Sequence, residues 1–134
     1  MKLDKKFMIA AIKAAKDAGK CGDYPIGSVI VKGDKIIAVG KETLFSVNDA
    51  TGHAEMWAIR KACGEMKSEL LKECTIYSTH EQCPMCAGAI IWAGIDRIVF
   101  GATRKDMINY MKKHVNKKFK WNQINVTCKY IAKR

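Results

Sequence analysis

The sequence predicts an α/β fold in which a mixed β-sheet carries helices on both faces. Two observations predict it. Two strand-like runs flank Lys32-Gly33-Asp34 and read as a β-hairpin, and the rest of the chain alternates segments of helical and strand period. The 134 residues, 49% of them hydrophobic, suffice for a single domain spanning 1–134 with one core, and are too apolar for a disordered tail.

Residues 4–18 read as an amphipathic helix with Phe7, Ala11, Ala14, Ala15 and Ala18 on one face and lysines opposite. Gly19 and Gly22 end it. Residues 24–31 read as a buried strand and residues 35–40 as its return. Gly27 lies inside the first strand, where a glycine marks close approach of other atoms to the backbone. Residues 41–51 form a polar connection in which Asn48-Asp49 favours a turn and a helix entry. The next helix is expected over 52–63, stopping at Gly64, with Met56, Ile59, Ala62 and Cys63 as its apolar positions. Residues 74–79 read as a strand leading into an apolar helix that begins near Pro84 and stops at Gly94. A strand over 96–101, a lysine-rich helix over 104–118 and a last strand over 125–131 complete the expected order. There is no internal repeat and no linker.

The chemistry concentrates in Cys83-Pro84-Met85-Cys86 and in His53-Ala54-Glu55, thirty residues earlier. Pro84 suits the first turn of a helix, so Cys83 and Cys86 share one face of that turn. A helix N-terminus favours negative charge, hence thiolates, hence a metal. Two thiolates do not complete a zinc site, and His53 is the expected third ligand. His-x-Glu followed by Cys-x-x-Cys is a known zinc deaminase signature. One His and two Cys leave a fourth position on zinc for water, whose pKa the metal lowers. Glu55 is then placed as the proton shuttle that turns an amino-bearing ring carbon into a carbonyl and releases ammonia. Two bland readings compete. His80 could close a purely structural site with Cys83 and Cys86, or the Cys-x-x-Cys could be a redox pair, which needs no His-x-Glu. The open site is preferred, with His80 at the pocket mouth.

These stretches resemble the cytidine deaminase-like superfamily, in particular its guanine deaminase, cytosine deaminase and tRNA adenosine deaminase branch. The resemblance runs from Tyr24 to Thr103 and includes Pro25-Ile26-Gly27-Ser28-Val29-Ile30-Val31, Asn48-Asp49-Ala50-Thr51-Gly52-His53-Ala54-Glu55, and Cys83-Pro84-Met85-Cys86-Ala87-Gly88. It implies a three-layer α/β/α domain with a five-stranded sheet and zinc on His53, Cys83 and Cys86. It also implies catalysis by Glu55, a homodimer or larger assembly, and substrate contacts near Ile26, His80 and the residue eleven before His53. Relatives carry Asn at that last position; here it is Glu42. Relatives also carry Pro before the first Cys, where this chain has Gln82, and the tRNA enzymes carry a glycine-bearing loop where this chain has residues 103–110. The chain also stops soon after the last expected strand, without the C-terminal helix of many relatives.

The remaining expectations concern setting and substrate. No apolar run is long enough to cross a bilayer and no signal peptide is evident, so a cytoplasmic protein without membrane contact is expected. Its six cysteines are then reduced, with Cys21, Cys63, Cys74 and Cys128 as small buried hydrophobes. The net charge of +11 is compatible with nucleic acid, but rests on lysines and reports a field, not a site. The sequence alone favours a free guanine- or cytosine-like base as substrate. The alternative is a base within nucleic acid, and a third reading is a zinc-stabilised binding module, against which Glu55 argues.

Overall fold

The computed structural model describes residues 2–114. Its elements are α1 (Lys2–Lys20), β1 (Gly27–Lys32), β2 (Lys35–Lys41), α2 (Ala54–Met66), β3 (Cys74–His80), α3 (Pro84–Ala93), β4 (Arg97–Ala102) and α4 (Arg104–His114). The strands lie in the order β2-β1-β3-β4. β1 runs antiparallel to both β2 and β3, and β3 runs parallel to β4, so the sheet is mixed. A parallel pair needs a long crossover, and α3 supplies it. The described residues form four strands rather than the expected five; the fifth, over 125–131, and the end of the helix expected to reach 118 fall outside them.

Helices cover both faces because the central strands are apolar on both. Val29 and Val31 point to one side, where they pack with Phe7 and Ala11 of α1 and with Tyr77. Ile30 and Ile76 point to the other, where they join Ala58, Ile59 and Ala62 of α2 and Ile90 and Ala93 of α3. This is the period-two alternation of a strand buried between two layers. α3 is apolar in sequence but buries only Cys86, Ile90 and Ala93, leaving Ile91 and Trp92 exposed.

Two glycines set how closely the helices approach. A Cβ on Gly27 would stand 2.1 Å from the Ala11 carbonyl oxygen and 2.5 Å from the Ala15 nitrogen. A Cβ on Gly40 would stand 2.0 Å from the Ala54 carbonyl oxygen and 2.6 Å from the Ala58 nitrogen. α1 and α2 are therefore in backbone contact with the hairpin from opposite sides. Gly27 was expected to allow such an approach; Gly40 is the last residue of the expected return strand and carries the same constraint unforeseen.

Two expected glycine stops are corrected, and the first is Gly19, which lies inside α1. Gly64 does not end α2, which continues to Met66, and Lys67 makes the left-handed cap at φ 51 with its N–H on the Cys63 and Gly64 carbonyls. Gly64 is exposed and a Cβ there meets nothing within 4 Å, so a helix tolerates it. At the other edge of the sheet, Arg97 of β4 makes a two-pronged ion pair with Asp4 of α1 at 2.7 and 2.9 Å. The Tyr77 hydroxyl donates to the same carboxylate at 2.6 Å. This arrangement holds the Asp4 carboxyl well below the ordinary range, first through the Arg97 bond and then through Tyr77. Among the described residues no helix is long and apolar enough to cross a membrane.

The two glycines on and beneath α2 make a paired test. Gly40→Ala should destabilise the fold by about 1–3 kcal/mol, since the new methyl meets backbone and cannot be accommodated by a rotamer. Gly64→Ala should be stabilising, by about 0.5–1 kcal/mol, through helix propensity alone. Urea unfolding of both variants beside the parent checks the pair.

Candidate active site

Two helix N-termini converge. His53 is the N-cap of α2, with an extended backbone and no capping bond from its side chain, so the imidazole is free to turn outward from the helix end. Cys83 is the N-cap of α3, and its Sγ accepts the Cys86 N–H at 3.5 Å, a role more often filled by Ser or Asp. Pro84 sits at the first helical turn, as its sequence position suggested. His53 Nδ1 lies 3.4 Å from Cys83 Sγ and 3.5 Å from Cys86 Sγ.

The loop between β2 and α2 delivers His53 to this place. Asp23 Oδ1 accepts the N–H groups of Phe45 and Ser46 at 2.8 and 3.0 Å. Asn48 takes a left-handed φ of 52, and Asp49 Oδ1 accepts both the N–H and the hydroxyl of Thr51 at 2.8 Å, so the expected turn at Asn48-Asp49 is present. Thr43 N–H closes the loop on the Gly52 carbonyl at 2.8 Å, and Trp57 Nε1 donates to Thr43 Oγ1 at 2.7 Å.

The donor set suits a metal. The nearest ligand atoms of His53, Cys83 and Cys86 lie within 4.8 Å of one another, and no fourth residue joins this group among the described residues. A tetrahedral centre with bonds of about 2.3 Å to sulfur and about 2.0–2.1 Å to nitrogen has a sulfur–nitrogen edge of about 3.5 Å. Both observed Nδ1–Sγ separations match it. His80, the alternative closing ligand, is not in the group. It ends β3, and its Nδ1 is hydrogen-bonded to Thr79 Oγ1 at 2.8 Å. Burial lowers its pKa, which favours a neutral ring.

Charge is distributed unevenly among the donors. Cys83 is pushed well below the ordinary thiol range by the hydrogen bonds its sulfur accepts from Cys86 and from His53. Cys86 is pushed up by the neighbouring Cys83 sulfur and by burial, so Cys83 is the thiolate of the pair. His53 is raised to about 9, chiefly by its bond with Cys83.

Glu55 is buried, 4% exposed, one position into α2 from Ala54. Ser78 of β3 donates its hydroxyl to Oε1 at 3.0 Å, and Cys86 Sγ donates to Oε2 at 3.5 Å. Desolvation raises the Glu55 pKa. Two residues apart on a regular helix, His53 and Glu55 would point about 200° apart. They share a site here because His53 lies outside the helix proper. Ser78 was not singled out in the sequence, and a lone strand serine carries no local signal of this contact.

Glu42 and Ile26 lie beside this cluster. Glu42 is 2% exposed, and its N–H donates to the half-buried Ile26 carbonyl at 3.0 Å. Burial raises Glu42 to about 7, against the opposing field of His53. On the far side, α4 is fastened to the segment that carries Cys83. The Arg104 guanidinium donates to the Gln82 carbonyl, and the Arg104 N–H donates to Glu81 Oε2 at 2.6 Å. Thr103 and Asp106 cap the same helix reciprocally, at 2.7–3.1 Å. The residues 103–110 that set this chain apart in sequence thus form a helix start that grips the segment carrying Cys83.

Comparison with known proteins agrees with this geometry. The chain is 43% identical over 104 residues to the tRNA-specific adenosine deaminase of Buchnera aphidicola subsp. Schizaphis graminum, covering 78% of this chain and 69% of that protein. It superposes on the crystal structure of guanine deaminase from Bacillus subtilis with a TM-score of 0.76 at 38% identity, covering 79% of this chain and 68% of the other. It superposes on a structure from a study of tRNA:A34 deaminases with a TM-score of 0.72 at 39% identity, over 74% and 72% of the two chains. The profile of the MafB19-like deaminases matches residues 3–133, and the chain belongs to that family, within the cytidine deaminase-like superfamily that its motifs resemble.

Proposed function

We propose that this protein is a zinc-dependent hydrolytic deaminase whose substrate is an adenine-type base carried in RNA, as in the tRNA-specific relatives. The buried Glu55 beside the His53, Cys83 and Cys86 donors is the observation that carries the reaction. The likeness to tRNA-specific adenosine deaminase, together with the net charge of +11, supports nucleic acid over the free base that the sequence alone favours. A free purine base is the second reading, supported by the likeness to guanine deaminase.

His53, Cys83 and Cys86 would hold the zinc. When bound, the ion supplies Lewis acidity, which makes water nucleophilic near neutral pH. The chain's own residues supply the proton traffic and the order. Water adds to the ring carbon bearing the amino group, and the C–N bond breaks to leave a carbonyl and ammonia. One proton must travel from the water to the ring nitrogen, and another to the departing amine. Glu55 moves them at Oε2, while the Ser78 hydroxyl fixes Oε1. Burial raises the pKa of this carboxyl, which makes it a better proton acceptor than an exposed glutamate. Arg104 holds the Gln82 carbonyl, and with it the entry of Cys83 into α3.

Glu55→Gln should retain zinc and fold while losing turnover by about 10²–10⁴-fold, read as ammonia release. Near-parent turnover would remove Glu55 from the chemistry. Arg104→Ala should release zinc to a chromophoric chelator several-fold faster than the parent, with the thermal transition little moved; an unchanged release rate would show that α4 does not support the metal segment. The substrate class is decided by assaying tRNA, single-stranded RNA, nucleosides and free bases across a salt series. An RNA substrate should lose kcat/KM steeply as salt rises, because binding releases counterions. Turnover of a free purine with no RNA turned over, and weak salt dependence, would establish the second reading.

A further inference from the structure

The buried carboxylate of Glu42 has no place in the mechanism above, yet it faces the same site. It ends the β2 side of the β2–α2 loop, and the Thr43 N–H to Gly52 carbonyl bond at 2.8 Å brings its neighbours against the start of α2. The Ala54 N–H serves the carboxylate, and both His53 and Glu55 feel its charge. Its Oε2 is buried and has no hydrogen-bond partner among the described residues. A buried acceptor left unpaired is costly, and native structures leave few of them. A carboxylate in this position is an acceptor, whereas the Asn of the resembled family offers a donor and an acceptor.

We propose that Glu42 is a specificity-determining residue whose free carboxylate oxygen accepts an N–H donor of the target base. The inference deepens the deaminase reading and rests on it, but holds whether the base is free or in RNA. A base edge presenting an amino or ring N–H satisfies Oε2. A bare ring nitrogen or carbonyl there sets two acceptors against each other in a desolvated site. Among purines the favoured substrate class is therefore the amino-rich one, and plain adenine is a weaker substrate than its donor-bearing analogues.

The test uses the zinc-loaded full chain and matched ligands, each as free base and at one position of the same RNA. They are adenine, 2,6-diaminopurine with one added amino donor, and 3-deaza- and 7-deazaadenine with one ring acceptor replaced by C–H. The parent should prefer at least one of the three analogues over adenine by about 10–100-fold in kcat/KM, the range of one charge-assisted hydrogen bond. Glu42→Gln and Glu42→Asn, whose amides offer both a donor and an acceptor, should shrink that preference to less than about 3-fold. Zinc content and thermal melting identify a variant that is merely misfolded. The same rank order and ratios in the parent and in both folded variants would overturn the proposal and leave Oε2 to an ordered water. If no ligand releases ammonia, the deaminase reading fails by itself. Dissociation constants for the same ligands then decide the point: a preference lost on substitution supports Glu42 as the reader, and a preference unaffected by it overturns that role.

Discussion

The site depends first on how closely α2 can sit on the sheet. At Gly40 the strand offers no side chain, and the Ala54 carbonyl and Ala58 nitrogen take the space a Cβ would fill. That contact fixes the height of the first turn of α2 above β2. His53 immediately precedes this turn and Glu55 lies within it, so the backbone-to-backbone contact sets where both side chains start. Alanines at 54, 58 and 62 continue the same close seam along the helix. A bulkier residue at any of these points would lift the helix start and separate the imidazole from the two sulfurs.

Within the site, similar groups acquire different roles from their surroundings. Glu55 and Glu42 are both buried carboxyls with raised pKa values, and desolvation is the main cause for each. Glu55 is held at one oxygen by Ser78 and approaches Cys86 with the other, which keeps it against the metal donors. Glu42 sits one loop away with an oxygen to spare. Cys83 and Cys86 differ for a related reason: the first caps a helix and faces His53, while the second lies deeper and faces Glu55. Helix N-termini favour the charged thiolate at the cap.

Local pattern made much of this legible in the sequence. The hairpin turn at Lys32-Gly33-Asp34, the amphipathic α1 and the entry of α3 at Pro84 are set by residues close in the chain, and the structure has them where the pattern put them. The loop turn at Asn48-Asp49 was legible for the same reason. Gly64 was misleading because a glycine stops a helix only where the backbone must turn left-handed; here Lys67 makes that turn. Ser78 and Arg104 act on residues more than twenty positions away, across strand pairings that local periodicity does not encode. Glu42 stood out only through an unexpected residue type at a resembled position. Its burial depends on the Thr43–Gly52 closure and could not be read from sequence.

The capping role of Cys83 has a further consequence. A low-pKa thiolate with a protonated thiol beside it is the starting arrangement for disulfide formation, in which one sulfur is activated and its partner is within reach. An ion shared by both sulfurs occupies the electron pairs that an oxidant would attack. With a metal held on His53, Cys83 and Cys86, occupancy and oxidation state would be linked: losing the ion would expose a dithiol, and oxidising the dithiol would remove two of the three ligands.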